Sequence, residues 1–183
     1  MKMMDFIRVA MSALLLGSQA SAQFNVLERT HTVDGHRALL RIEIGRFEPK
    51  QHTVRPFHPT GHSGEPCVEI DGVTEPLGTD CDVPTTEIRA LVVTLDGATL
   101  TIPRELYRDC YEPRPDSNVA VRLADDRKGV FVFFSGSDGA GSYQVLWVFR
   151  VDGRYSRISC GPKECSDAGF LDFDHYFLKS DER

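Results

Sequence analysis

The chain has 183 residues, a formal net charge of −6, 41% hydrophobic and 26% charged residues, and five cysteines. That size and balance fit one globular domain and exclude wholesale disorder. An acidic chain with a pI near 5.5 lacks the basic face a nucleic-acid binder needs for phosphate contacts, and no apolar run reaches the roughly 18–20 residues of a membrane-spanning helix.

Residues 1–22 have the order of features of an export signal. Lys2 and Arg8 come first, an apolar stretch over 9–17 follows, and Ala20-Ser21-Ala22 supplies small side chains for a peptidase. The expectation is a cleaved signal over 1–22 and a single β-rich domain over 23–183. Removing Lys2, Arg8 and Asp5 takes the formal charge from −6 to −7. Arginine outnumbers lysine sixteen to five, which fits a high-GC bacterial genome; the periplasm is the expected compartment.

Residues 36–44 place Leu40, Ile42 and Ile44 on one face and Arg41 and Glu43 on the other, the pattern of a half-exposed strand. Residues 45–87 are rich in Pro, Gly and His and read as a long loop. Asp-Gly recurs at 34–35, 71–72, 96–97, 138–139 and 152–153, the dipeptide favoured where both central residues of a tight hairpin turn need positive φ. A two-residue turn at Asp96-Gly97 sets Leu95 opposite Ala98, Val93 opposite Leu100 and Leu91 opposite Ile102, all apolar. Residues 103–111 begin with Pro at a first helical position and stop before Pro113, predicting a short helix.

The second half reads as an antiparallel meander. Strands are predicted over 119–124 and 130–134, the latter apolar on both faces, with a polar turn between them. A further strand over 143–151 sets Val145, Trp147, Phe149 and Val151 on one face, and 154–158 returns beside it. A last helical turn or two over 172–179 would put Phe173 and Phe177 on one side. The fold class is therefore mainly β: an antiparallel meander, sandwich or small barrel with one or two short helices, stapled by disulfides.

An oxidising compartment makes disulfides the default for Cys67, Cys81, Cys110, Cys160 and Cys165. Two bridges among five cysteines allow fifteen arrangements, five choices of odd thiol times three pairings. The favoured set is Cys67–Cys81, closing a Gly-, Pro- and Asp-rich loop, and Cys160–Cys165 around Gly161-Pro162, leaving Cys110 free. No Cys-x-x-Cys pair supports zinc instead.

Five of six histidines fall within 31–62. His52, His58 and His62 are the candidates for a divalent metal, although Pro59 and Gly61 prevent a helical presentation of the last two. Asp80/Asp82, Asp125/Asp126 and Asp172/Asp174 lack the alternation of a calcium loop. There is no Gly-x-Ser-x-Gly, His-Glu-x-x-His or phosphate-cradling glycine motif. No catalytic residue and no cofactor are assigned, and an enzyme is the less favoured class; a small hydrolase with an unrecognised site and a periplasmic metal-binding protein are the alternatives.

The most unusual stretch joins the two most apolar strands: Ser135, Gly136, Ser137, Asp138, Gly139, Ala140, Gly141, Ser142 and Tyr143. Its glycines permit close backbone approach, and an aromatic ends it. Ser135-Gly136…Tyr143 resembles the Ser-Gly-x-x-Tyr loop that periplasmic lysozyme inhibitors carry on a small β-scaffold, with six residues here in place of two. The chain is also similar in type to immunity proteins that protect bacteria from secreted cell-wall-degrading toxins. The resemblance implies a protein partner, a secreted toxin or peptidoglycan hydrolase, blocked by insertion of this loop. Asp138 and the serines Ser135, Ser137 and Ser142 would meet polar groups, the backbone at Gly136, Gly139 and Gly141 would enter the partner's cleft, and Tyr143 would serve as the aromatic anchor.

Overall fold

Tight turns organise the first half of the molecule. In the computed structural model, which describes residues 25–60, 64–114, 119–137 and 139–160, Asp34-Gly35, Asp71-Gly72 and Asp96-Gly97 all have both residues at positive φ. The first joins β1 (Asn25–Val33) to β2 (His36–Arg46) and the third joins β5 (Thr86–Leu95) to β6 (Ala98–Leu100). At 152–153 only Gly153 has positive φ. That turn links β9 (Tyr143–Arg150) to β10 (Tyr155–Cys160).

The protein is mainly β, and among the described residues there is no closed barrel. One four-stranded antiparallel sheet has the order β1-β2-β5-β6; a second has the order β10-β9-β8-β7, where β7 is Ala120–Leu123 and β8 is Gly129–Gly136. The second sheet is the expected meander of chain neighbours. The two inner faces meet in one core, with Leu40, Ile42 and Val93 from the first sheet against Val130, Val132, Val145 and Trp147 from the second. All seven are 0% exposed. Burying an aliphatic side chain of this kind stabilises by about 1.5–3 kcal/mol. Trp147 keeps its one polar atom satisfied, its indole N–H donating to the Leu106 carbonyl at 2.8 Å.

The hairpin register at Asp96-Gly97 is as read from sequence for Leu95↔Ala98 and Val93↔Leu100. It stops there: β6 ends at Leu100, so Leu91 and Ile102 are not paired, although Ile102 still packs on the core. Val151 also departs from expectation. It stands in the turn after β9, 54% exposed, not on the buried face with Phe149.

Two larger corrections concern the middle of the chain. Residues 45–87 are not one long loop: β2 runs to Arg46, a 3₁₀ turn spans Pro49–Gln51, and β3 (Val54–Phe57) pairs with β4 (Cys67–Ile70) as a separate ribbon. Pro56 argued for a loop, but a two-stranded ribbon has a free edge on each side, where a proline's missing N–H costs nothing. The helix expected over 103–111 is reduced to a 3₁₀ turn, Arg104–Leu106. The backbone that would have extended it is used laterally. Leu77 bridges Cys110, Glu87 bridges Tyr111 and Gly136 bridges Pro113, so this segment ties both sheets to the loop after β4.

Among the described residues no helix is long and apolar enough to cross a membrane. The proposed signal over 1–22 and the helical turns over 172–179 lie outside the described residues, as do Asp138, His62 and Cys165.

Candidate functional site: a cavity between the disulfide loop and the glycine-rich turn

Of the expected disulfides, Cys67–Cys81 is present. Cys110 is free and buried, and burial, reinforced by the neighbouring Asp109 carboxylate, pushes its thiol far above the ordinary range. Such a thiol stays protonated and is a poor nucleophile. The expected Cys160–Cys165 pair depends on Cys165, which lies outside the described residues.

The Cys67–Cys81 bond fastens the base of the β3–β4 ribbon to residues 74–81, which run across the end of the sandwich. Leu77 secures this run from both sides: its N–H donates to the Asp109 carbonyl and its carbonyl accepts from the Tyr111 N–H, both at 2.9 Å. Gly78 follows at φ +91, where a Cβ would stand 2.3 Å from the Tyr111 carbonyl oxygen. Only glycine fits both the φ and the space there. Asp80 and Cys81 also have positive φ, so the closed loop holds a sharply turned backbone.

The glycine-rich segment lies directly on this loop. Ser135 and Gly136 are the last residues of β8, paired with Gln144 and Tyr143, so the connection proper is 137–142. Residues Gly139–Gly141 form a 3₁₀ turn. A Cβ on Gly141 would meet the Asp80 backbone nitrogen at 3.1 Å and the Ser137 hydroxyl at 3.2 Å. Ser137 anchors the near end, its N–H donating to the Glu112 carbonyl at 2.8 Å. The segment is therefore seated on Asp80, not a free-standing protrusion.

Tyr143 differs most from the sequence expectation. It is 2% exposed and belongs to the core, its hydroxyl donating to the Tyr111 carbonyl at 2.9 Å. Its ring lies over Gly136, where a Cβ would stand 2.3 Å from the ring's Cζ and Oη. As an exposed aromatic anchor it is ruled out by geometry. Pairing with Gly136 turns its side chain inward, and burial of the phenol pushes its pKa well up.

Between the two loops is an open cavity of about 710 Å³, lined in part by Glu75, Leu77, Asp80, Gly141, Ser142 and the edge of Tyr143. Cys67 and Cys81 line it as well. Gly141, Ser142, Tyr143 and the disulfide are thus brought together from distant parts of the sequence, while Ser135, Gly136, Ser137 and Gly139 lie apart from the cavity wall. Its wall carries exposed Glu75 and Asp80, and the chain continues past Cys81 into exposed Asp82 and Val83.

The histidines do not converge. His31 accepts a hydrogen bond from the Leu123 N–H at 3.2 Å, and His36 pairs with Asp96 at 2.8 Å. His58 is exposed after β3. The His52 side chain is buried, stacked on Phe47 with ring centroids 4.4 Å apart, with Nδ1 2.7 Å from Asp71 and Nε2 3.3 Å from Glu87. Arg89 completes that cluster 3.0 Å from Glu87. This charged group docks the ribbon onto β5. Among the described residues no three His, Cys, Asp or Glu side chains are grouped so as to hold a metal. Sequence reasoning missed this cluster and the segment 74–82. The Asp71-Gly72 turn was visible, but nothing local marks Glu87 as its partner across the fold.

The architecture is that of a disulfide-stapled antiparallel β-protein with a preformed cavity at one end. Compared with protein-family models, curated protein sequences and solved structures, the chain has no significant match in any of the three.

Proposed function

We propose that this protein works by binding a partner protein through the rim formed by residues 74–83 and 140–142, blocking the partner without turnover. One observation carries the reading: two irregular loops from distant parts of the chain are locked together, one by a disulfide and the other by a glycine seated on Asp80. A surface held in this way loses little conformational entropy when a partner docks. The acidic rim and the net charge of −6 suit a cationic partner, whose association would be accelerated by electrostatic steering. The partner class we favour is a secreted, cell-wall-directed enzyme or toxin met in the periplasm, an inhibitor or immunity role.

The decisive experiment is inhibition of a panel of cationic peptidoglycan hydrolases by the oxidised protein, read as clearing of a cell-wall suspension. At least one member should be bound and its clearing suppressed. The variant Glu75→Gln/Asp80→Asn/Asp82→Asn should associate more slowly at low salt, with the difference shrinking as salt screens the rim. No inhibition across the panel by a folded protein overturns the partner class. Inhibition with an unchanged association rate in the variant overturns the rim as the interface.

A further inference from the structure

The two sheets end in four edge strands, β1, β6, β7 and β10. An exposed edge offers a row of N–H and carbonyl groups to any second strand, and folded proteins shield it by shortness, charge, proline or a bulge. β6 is three residues long, and β7 lies against β1, where the Leu123 N–H donates to the His31 ring at 3.2 Å. β10 has none of these protections. It contains no proline or lysine and pairs with β9 over six residues in unbroken register. Its one charge, Arg157, is held on Asp109 by two hydrogen bonds of 2.6 and 2.9 Å. Of the five large hydrophobics exposed among the described residues, Val151, Tyr155 and Ile158 stand on β10 or in the turn leading into it.

The ladder fixes which backbone groups face outward. The Arg150 N–H donates to the Arg154 carbonyl at 2.9 Å, and the Val151 N–H to the Lys128 carbonyl at 3.0 Å. Hydrogen-bonded pairs alternate along an antiparallel ladder, so Ser156 and Ile158 bond to β9, while the N–H and carbonyl of Tyr155, Arg157 and Ser159 point away from the sheet. No backbone group among the described residues takes them up. We infer that this edge pairs with the β10 edge of a second copy, antiparallel about a two-fold axis at Ile158, joining the two second sheets into one. In that register Arg157 of one copy lies opposite Ser159 of the other, so each outward N–H and carbonyl of these residues meets a complement. Ile158, 40% exposed, then faces its own twin at a non-hydrogen-bonded position, where side chains approach most closely. An axis at Arg157 would instead set like charges opposite each other, which is destabilising. The edge also carries no net charge although the chain carries −6, because Asp152 pairs with Arg154 and Asp109 with Arg157. A cationic partner finds nothing to recognise there, whereas an identical edge does, and closed two-fold dimers require such self-complementarity. The inference does not depend on the partner class proposed for the rim.

Sedimentation equilibrium of the full chain, with accessible thiols alkylated, should show a reversible monomer–dimer equilibrium. Ile158→Lys sets like charges opposite each other at the axis. Ser159→Pro removes an outward donor at a position where an edge strand tolerates proline. Both variants should be monomeric at concentrations where the wild type is dimeric, with native Trp147 fluorescence and circular dichroism. Val26→Lys, at an exposed apolar position of β1, should dimerise like the wild type. A wild type that is monomeric at every concentration, or that forms a larger assembly, overturns the inference. So does a dimer that survives either β10 substitution, or one lost equally with Val26→Lys.

Discussion

Gly136→Ala should be strongly destabilising, and Tyr143 should be the whole reason. Gly136 is outside the positive-φ glycines, so its backbone conformation admits alanine. What forbids the methyl group is the Tyr143 ring, whose Cζ, Oη and Cε1 would be 2.3, 2.3 and 2.4 Å from it. The ring cannot simply swing away, because its hydroxyl is held on the Tyr111 carbonyl at 2.9 Å and it contacts Phe134 in the core. Overpacking of this kind costs about 1–3 kcal/mol, occasionally more. Tyr143→Leu alone removes the outer ring atoms, at the cost of lost packing and an unsatisfied buried carbonyl, the latter about 1–3 kcal/mol. In that background Gly136→Ala meets no ring and should be neutral, or stabilising by about 0.4–1 kcal/mol through the unfolded chain. The double-mutant cycle should therefore give a favourable coupling of about 2 kcal/mol, within the range for residues in direct contact. Urea unfolding followed by the fluorescence of Trp147, the single tryptophan, measures all four stabilities. An equal cost of Gly136→Ala in both backgrounds would show that the glycine is needed for its backbone and that the packing argument is wrong.

Three further outcomes follow from the same geometry. Val93→Asp, at a fully buried position of β5, should abolish folding, whereas Thr94→Asp on the half-exposed face should leave circular dichroism and the thermal midpoint close to wild type; similar behaviour of the two would refute the register. Replacing both Cys67 and Cys81 with Ala should lower stability by about 3 kcal/mol, the chain-entropy value for a loop of this size, and slow association with the partner because the rim loses its closure. Asp71 has a competition to resolve: burial raises its pKa, but the Thr53 N–H and His52 outweigh this and the net shift is downward. Asp152, held by the Arg154 side chain and N–H, lies at about 2. For a depressed carboxylate the stabilisation is present above the unfolded value, 3.8, and is lost as pH falls through the folded one. Stability should therefore decline between about pH 4 and pH 2, and Asp71→Asn should flatten that limb; an unchanged limb in the variant would remove Asp71 from the account.

Much of the framework was legible in the residues alone, because it depends on interactions between near neighbours. Asp-Gly at 34–35 and 96–97 sets tight turns through local φ preference, and strict alternation then decides which face of β2 and β5 is buried. The second-sheet meander follows from the same local rules, and the choice of Cys67–Cys81 rested on the composition of the short loop it closes. What the sequence did not disclose depends on distance in space. Tyr143 reads as the exposed end of a polar loop until Gly136 is seen beneath its ring and the Tyr111 carbonyl at its hydroxyl. Residues 103–111 have helical punctuation, yet Cys110, Tyr111 and Pro113 are drawn out to bridge three other segments. His52 suggested a metal ligand in sequence, but it is engaged by Asp71 and Glu87, 19 and 35 positions away. The cavity exists only because residues 74–81 and 140–143 meet. A pairing between remote segments is decided by the summed packing of the whole core, and no single stretch of sequence contains that sum.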